Sequence, residues 1–113
     1  MISRIWDAVA TESGASEYAE HFRNRVMPSL RSIGGYSGSL LLQRVRHDHR
    51  VEVRVVSFWE SERAIRAFAG PRIEHAVIAD EARTMLESYA DTVSHFTVVA
   101  EDSVRRQDPP GRL

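Results

Sequence analysis

His75 and His95 carry the side chains best suited to moving a proton near neutral pH, because an unperturbed imidazole titrates near pH ~6.5. His75 lies just after Gly70-Pro71 and reads as a base or hydrogen-bond donor, with a plain surface histidine as the competing reading. His95 sits in the apolar run TVSHFTVVA and faces either a cavity or a subunit interface, since strand parity is not set by one strand alone. Arg54 stands among valines, where a permanently charged guanidinium needs a carboxylate or a ligand anion. Trp6 offers a wall for a flat ligand, or else packs in the core with its N–H satisfied. Trp59, at a strand end before a helix, reads as packing, and Tyr36 and Tyr89 read as buried rings with wet hydroxyls that could also bond a ligand oxygen. His47-Asp48-His49 resembles a metal triplet. It occupies a hairpin turn, where three neighbouring residues seldom complete a first shell, so no metal site is expected. Gly34-Gly35-Tyr36-Ser37-Gly38 leads from helix into strand, the reverse of a dinucleotide-binding loop.

Composition limits the chemistry further. The 113 residues contain 15 Arg, no Lys and 16 Asp or Glu, a net charge of −1, which leaves no clustered cations for a nucleic-acid backbone. Without cysteine there are no disulfides, thiolate nucleophiles, zinc-thiolate sites or iron–sulfur clusters, and without lysine no Schiff-base amine. No apolar run is long enough for a membrane span, and the start of the chain does not read as a signal peptide, so a cytoplasmic protein is expected.

The elements that must position these side chains follow the order β-α-β-β-α-β. Residues 2–10 read as a strand. A helix follows from an N-cap region at Gly14-Ala15-Ser16 to about residue 32, with Tyr18, Phe22, Val26, Leu30 and Ile33 on one face and a kink or early end at Pro28. Two strands, 36–47 and 50–60, are joined by a short turn, and their nearly continuous apolar residues predict a sheet covered on both faces. Glu60-Ser61-Glu62-Arg63 opens a second helix that buries Ala64, Ile65, Phe68 and Ala69 and stops at Gly70-Pro71. Short helical pieces are expected across 73–90, with Val77, Ile78, Met85, Leu86 and Tyr89 facing in, then a last strand over 92–100. Residues 102–113 read as a mobile tail after a single domain of residues 1–101.

This order is the ferredoxin-like α+β arrangement, a four-stranded antiparallel sheet with both helices on one face. Two helices leave the other apolar face open, which predicts a homodimer.

The segments IGGYSGSLLLQRVR (33–46), VSFWESERAIRAFAGPRIEHAVI (56–78) and VSHFTVV (93–99) are similar to the antibiotic biosynthesis monooxygenase (ABM) superfamily of dimeric α+β barrels. The resemblance covers residues 1 to about 100. It implies a cavity between sheet and helices in each subunit, and a cofactor-independent monooxygenase that oxidises a small aromatic or polyketide-like substrate with dioxygen. His75 is then the expected catalytic residue, with Trp6, Arg54, Phe68 and His95 around the substrate. Non-catalytic ligand binding on the same fold is the alternative. A haem-degrading branch uses an Asn on the first strand and a Trp near the end of the second helix. Trp6, Phe68 and the vicinity of Ile78 stand at the comparable positions, the one Asn is Asn24, and His75 lies about a turn out of step with the histidine that branch uses on the following segment, so the set is not met and haem handling is the lesser alternative, through His75.

Overall fold

The structure is a computed structural model that describes residues 1–102 and 104. The segment expected to be a mobile tail, 102–113, lies outside the described residues apart from Asp102 and Val104. The chain runs β1 (Ile2–Ala10), α1 (Glu12–His21), a π-helical segment (Phe22–Val26), α2 (Met27–Arg31), β2 (Tyr36–Val45), β3 (Val51–Trp59), α3 (Glu62–Ala69), α4 (Asp80–Arg83), β4 (Ser88–Tyr89) and β5 (Ser94–Thr97).

The central strand is β1. It pairs antiparallel with β3 along its whole length, from Ile2↔Trp59 to Ala10↔Val51, and β3 pairs antiparallel with β2. On its other edge β1 holds β4 at Ala8 and Val9 and β5 from Ile2 to Ile5. The last strand, expected over 92–100, is confined to Ser94–Thr97, and the short β4 at Ser88–Tyr89 arises inside the stretch expected to be helical. Between them the chain turns aside, and the backbone at Asp91 and Glu74 bonds Ala76 and Val93 instead of the sheet. The helical pieces expected across 73–90 reduce to the single turn of α4, and Val77 is 53% exposed rather than inward.

Thr11, not the Gly14 region, caps α1: its Oγ1 accepts from the Gly14 amide at 3.0 Å. Pro28 does not end the helix. A proline at that place removes a donor and crowds the preceding carbonyls, and the chain answers with a wider turn in which Met27 N–H bonds Phe22 C=O. Helical structure then continues to Arg31. Gly14 permits a close approach, since a Cβ there would lie 2.3 Å from the Met85 carbonyl oxygen. Gly35 holds φ +87° where β2 begins against Ala64 of α3.

Both helices pack on one face of the sheet. Trp6, Ala8, Ala10, Tyr18, Phe22 and Val53 form one core, and Leu30, Trp59, Ala64 and Ile65 a second. Trp59 is fully buried and donates to Ser57 Oγ at 2.9 Å, which fits the packing role read from its position. The strand register puts Val53 and Val55 on this face and Val56 and Phe58 on the other. That other face carries Leu40 and Val56, with Leu42 46% and Phe96 58% exposed, interleaved with the pairs Arg54–Asp7 and Arg44–Glu52. No helix among the described residues is long and apolar enough to cross a membrane.

Candidate active site

A cavity of ≈ 220 Å³ lies between the two cores. Alternation along a strand sends Arg4 and Trp6 from β1 and Val55 and Ser57 from β3 to the same side. Helical spacing of three and four brings Tyr18, His21 and Arg25 over them, and Phe68 of α3 closes one end. The loop around Ile78 and the start of α4 cover the top.

The aromatic side is fixed. Trp6 Nε1 donates to Ala90 C=O at 2.8 Å, and its ring lies 6.0 Å from that of Tyr18. Phe68 stacks on Trp59 at 5.4 Å, so its position is set by a fully buried residue of the second core. Burial pushes the Tyr18 phenol up to about 12, so it stays protonated at neutral pH.

Two polar groups face this surface. His21 is buried, with Nδ1 3.6 Å from Glu81 Oε1, and the Glu81 side chain is itself 63% exposed. The carboxylate stands within ion-pair reach of the ring, where it would stabilise an imidazolium. The other group is Arg4, 5% exposed. Its Nη2 donates to His75 C=O at 2.7 Å, and its Nη1 bonds Ile73 C=O and meets His95 Nε2 at 3.0 Å. The guanidinium also lies 5.7 Å from the centre of the Phe68 ring. Burial lowers Arg4 to about 10, so it remains charged at neutral pH. Burial first, and then the Arg4 charge, lower the His95 imidazole, which keeps it neutral and able to accept.

Of the residues singled out from sequence, Trp6 and Phe68 line this cavity. His95 sits behind it, bonded to Arg4. His75 presents its carbonyl to Arg4 and pairs with Thr92, while the residue is exposed and does not line the cavity. Arg54 points to the opposite face, where Nε and Nη2 clamp Asp7 at 2.6 and 3.0 Å and Asp7 raises its pKa. It borders a shallow depression of ≈ 470 Å³ there. His47, Asp48 and His49 are exposed in the β2–β3 turn, and no metal-binding cluster of three occurs among the described residues. Arg4, His21 and Glu81 were missed. His21 did leave a signal, three residues after Tyr18 and next to Phe22 on the apolar stripe.

No protein-family profile matches the chain, and no curated protein is significantly similar to it. Solved structures do match. The haem-degrading protein MhuD of Mycobacterium tuberculosis, with two haems bound, is 26% identical over 91% of this chain and 100% of that one, with a TM-score of 0.60. A candidate antibiotic biosynthesis monooxygenase of Bacillus cereus reaches a TM-score of 0.65 at 14% identity, covering 94% of this chain and 98% of its own. SnoaB, a cofactor-independent oxygenase of Streptomyces nogalater, is 20% identical over 96% of this chain and 97% of its own, with a TM-score of 0.54. The fold is that of the ABM superfamily, as the residues 33–46, 56–78 and 93–99 implied.

Proposed function

We propose that the protein is a cofactor-independent monooxygenase of the ABM type that oxidises a small aromatic compound with dioxygen. The observation that carries this reading is a cavity walled by Trp6, Tyr18 and Phe68 and lined also by His21, whose Nδ1 lies 3.6 Å from Glu81. In such a reaction an electron-rich aromatic loses a proton, its anion reduces dioxygen, and a C–H2 centre becomes C=O while the second oxygen leaves as water. The substrate supplies all four electrons, and the protein supplies the base, the orientation and a dry pocket. We place the base at His21. A catalytic role for His75 requires its exposed side chain to swing inward, and one for Arg54 requires the ligand to reach the opposite face of the sheet.

An apolar cavity of ~150 Å³ holds benzene, so ≈ 220 Å³ suits one ring with substituents or two fused rings. Oxygen uptake with hydroquinones, naphthols and anthrones tests the reading, and the smaller phenols are the expected substrates. Consumption no faster than without protein for every compound overturns it and leaves non-catalytic ligand binding.

The protein works as a homodimer in this proposal. The half-exposed apolar face bearing Leu42 and Phe96 supports that, because large apolar patches on soluble proteins are normally interaction sites. Haem binding is the second reading, favoured by the 26% identity to MhuD. A porphyrin exceeds a cavity of ≈ 220 Å³, so haem entry needs the loop over the cavity to open. An unchanged Soret band on adding haem to the protein removes it.

A further inference from the structure

The arginines of this protein are paired in the reverse of the order that electrostatics favours. Arg44, Arg50, Arg54 and Arg66 are about half exposed or more, and each holds a carboxylate oxygen at 2.7 Å or less. Surface pairs of that kind add little to stability. Arg4 is the buried one, and no ion pair among the described residues includes it. Its partners are two carbonyl oxygens and a neutral imidazole, which satisfy donors without cancelling charge. A buried charge is normally paired, since desolvation without compensation is costly. The planar guanidinium is fixed by these bonds and by the Phe68 face, and Arg4 lines the cavity.

We propose that Arg4 is the counter-ion of the ligand: the cavity takes an aromatic molecule bearing an anionic oxygen group, a carboxylate or an ionised phenol, and selects it over neutral isosteres through Arg4. The proposal rests on the reading of this cavity as the substrate site and adds the charge of the substrate. The guanidinium fork suits oxygen anions in the plane of a ring or carboxylate. The apolar side chains of Val55, Phe68 and Val93 that line the cavity lower the local dielectric, which strengthens a charge-assisted bond to an anion there. His95 serves as a positioning residue, since it accepts from Nη1 and leaves the charge uncancelled.

The test is calorimetric titration of the full chain with 2-naphthoate, 2-naphthol and 2-naphthamide at pH 7 without oxygen. A hydrogen bond to a charged group corresponds to roughly a tenfold gain or more in affinity, so at least one anionic ligand binds ~10-fold tighter than the amide. Tighter binding of 2-naphthoate assigns a carboxylate. Tighter binding of 2-naphthol with proton release assigns an ionised phenol. Equal affinity for the amide, or no binding by any of the three, overturns the proposal. Arg4→Gln abolishes the selectivity and Arg4→Lys keeps part of it, with both ligands measured on the same preparation. If Arg4→Gln does not fold, the wild-type ratio and Arg4→Lys still decide. Because no turnover is measured, anion selectivity without later oxygen uptake defeats the oxygenase reading alone, and uptake without selectivity defeats this proposal alone.

Discussion

Replacing Gly14 by alanine sets two effects of opposite sign against each other at one atom. On helix propensity alone the change stabilises, by up to ~1 kcal/mol, and less in a first turn. The added Cβ would lie 2.3 Å from the Met85 carbonyl oxygen, 3.3 Å from its carbon and 3.2 Å from Thr11 Oγ1. The first two atoms belong to backbone and the third is the cap of the same helix, so none is a flexible side-chain end. Relief requires α1 and the segment after α4 to part by about an ångström, at an overpacking cost of ~1–3 kcal/mol, with up to ~1 more if the Thr11 cap is lost. The steric effect wins, and the net loss is about 2 kcal/mol, or roughly 8–16 °C in Tm for a domain near this size. Urea titration and thermal melting of Gly14→Ala read it directly. Gly34→Ala is the control, because nothing lies within 4 Å of its Cβ and its φ is not in the left-handed region, so it should be neutral or slightly stabilising. A Gly14→Ala protein as stable as the wild type would refute the close approach of the α1 helix to the Met85 carbonyl.

Other outcomes follow from the same geometry. The folded His95 imidazole titrates below its unfolded value, so the unfolded chain binds more protons between the two. Stability should therefore be full above pH ~6.5 and decline on acidification below it, and His95→Gln should flatten the urea midpoint between pH 7.5 and 5. His21→Gln keeps the shape but removes the base, and should slow turnover by ~10²–10⁴-fold at unchanged Tm, as steady-state oxygen uptake would show. Placing a charge on the open sheet face, by Leu42→Asp or Phe96→Asp, should convert the sedimenting species from dimer to monomer while circular dichroism is unchanged. A wild-type protein that sediments as a monomer at micromolar concentration refutes the dimer itself.

The order of elements was legible because each long element carries its own apolar pattern. The nearly continuous apolar run of 50–60 placed β3, and the Tyr18–Phe22–Val26–Leu30 spacing placed the first helix. Which face of β5 holds His95 was not legible, because parity comes from the pairing Arg4↔His95 and not from the strand itself. The short β4 and the late start of the last strand were hidden for a similar reason. Residues 92 and 93 read as strand, yet Val93 N–H bonds Glu74 C=O, and the neighbouring Asp91 and Ala90 carbonyls serve Ala76 and the Trp6 indole. Arg4 gave no signal in the sequence, since only the fold carries the Ile73 and His75 carbonyls to it. The Phe68 and Trp6 positions came from resemblance, and the cavity between them from tertiary packing.

The π turn at Phe22–Val26 has a consequence for descent as well as for shape. It accommodates one more residue than an α turn, and removing one residue from it would rotate everything downstream by about 100°. Leu30 would then leave the core, and Val26 and Ser29 would leave the cavity wall. Homologues sharing this ligand chamber should therefore keep the same helix length between Tyr18 and Leu30, and those with a one-residue gap there should have re-formed the chamber around different side chains.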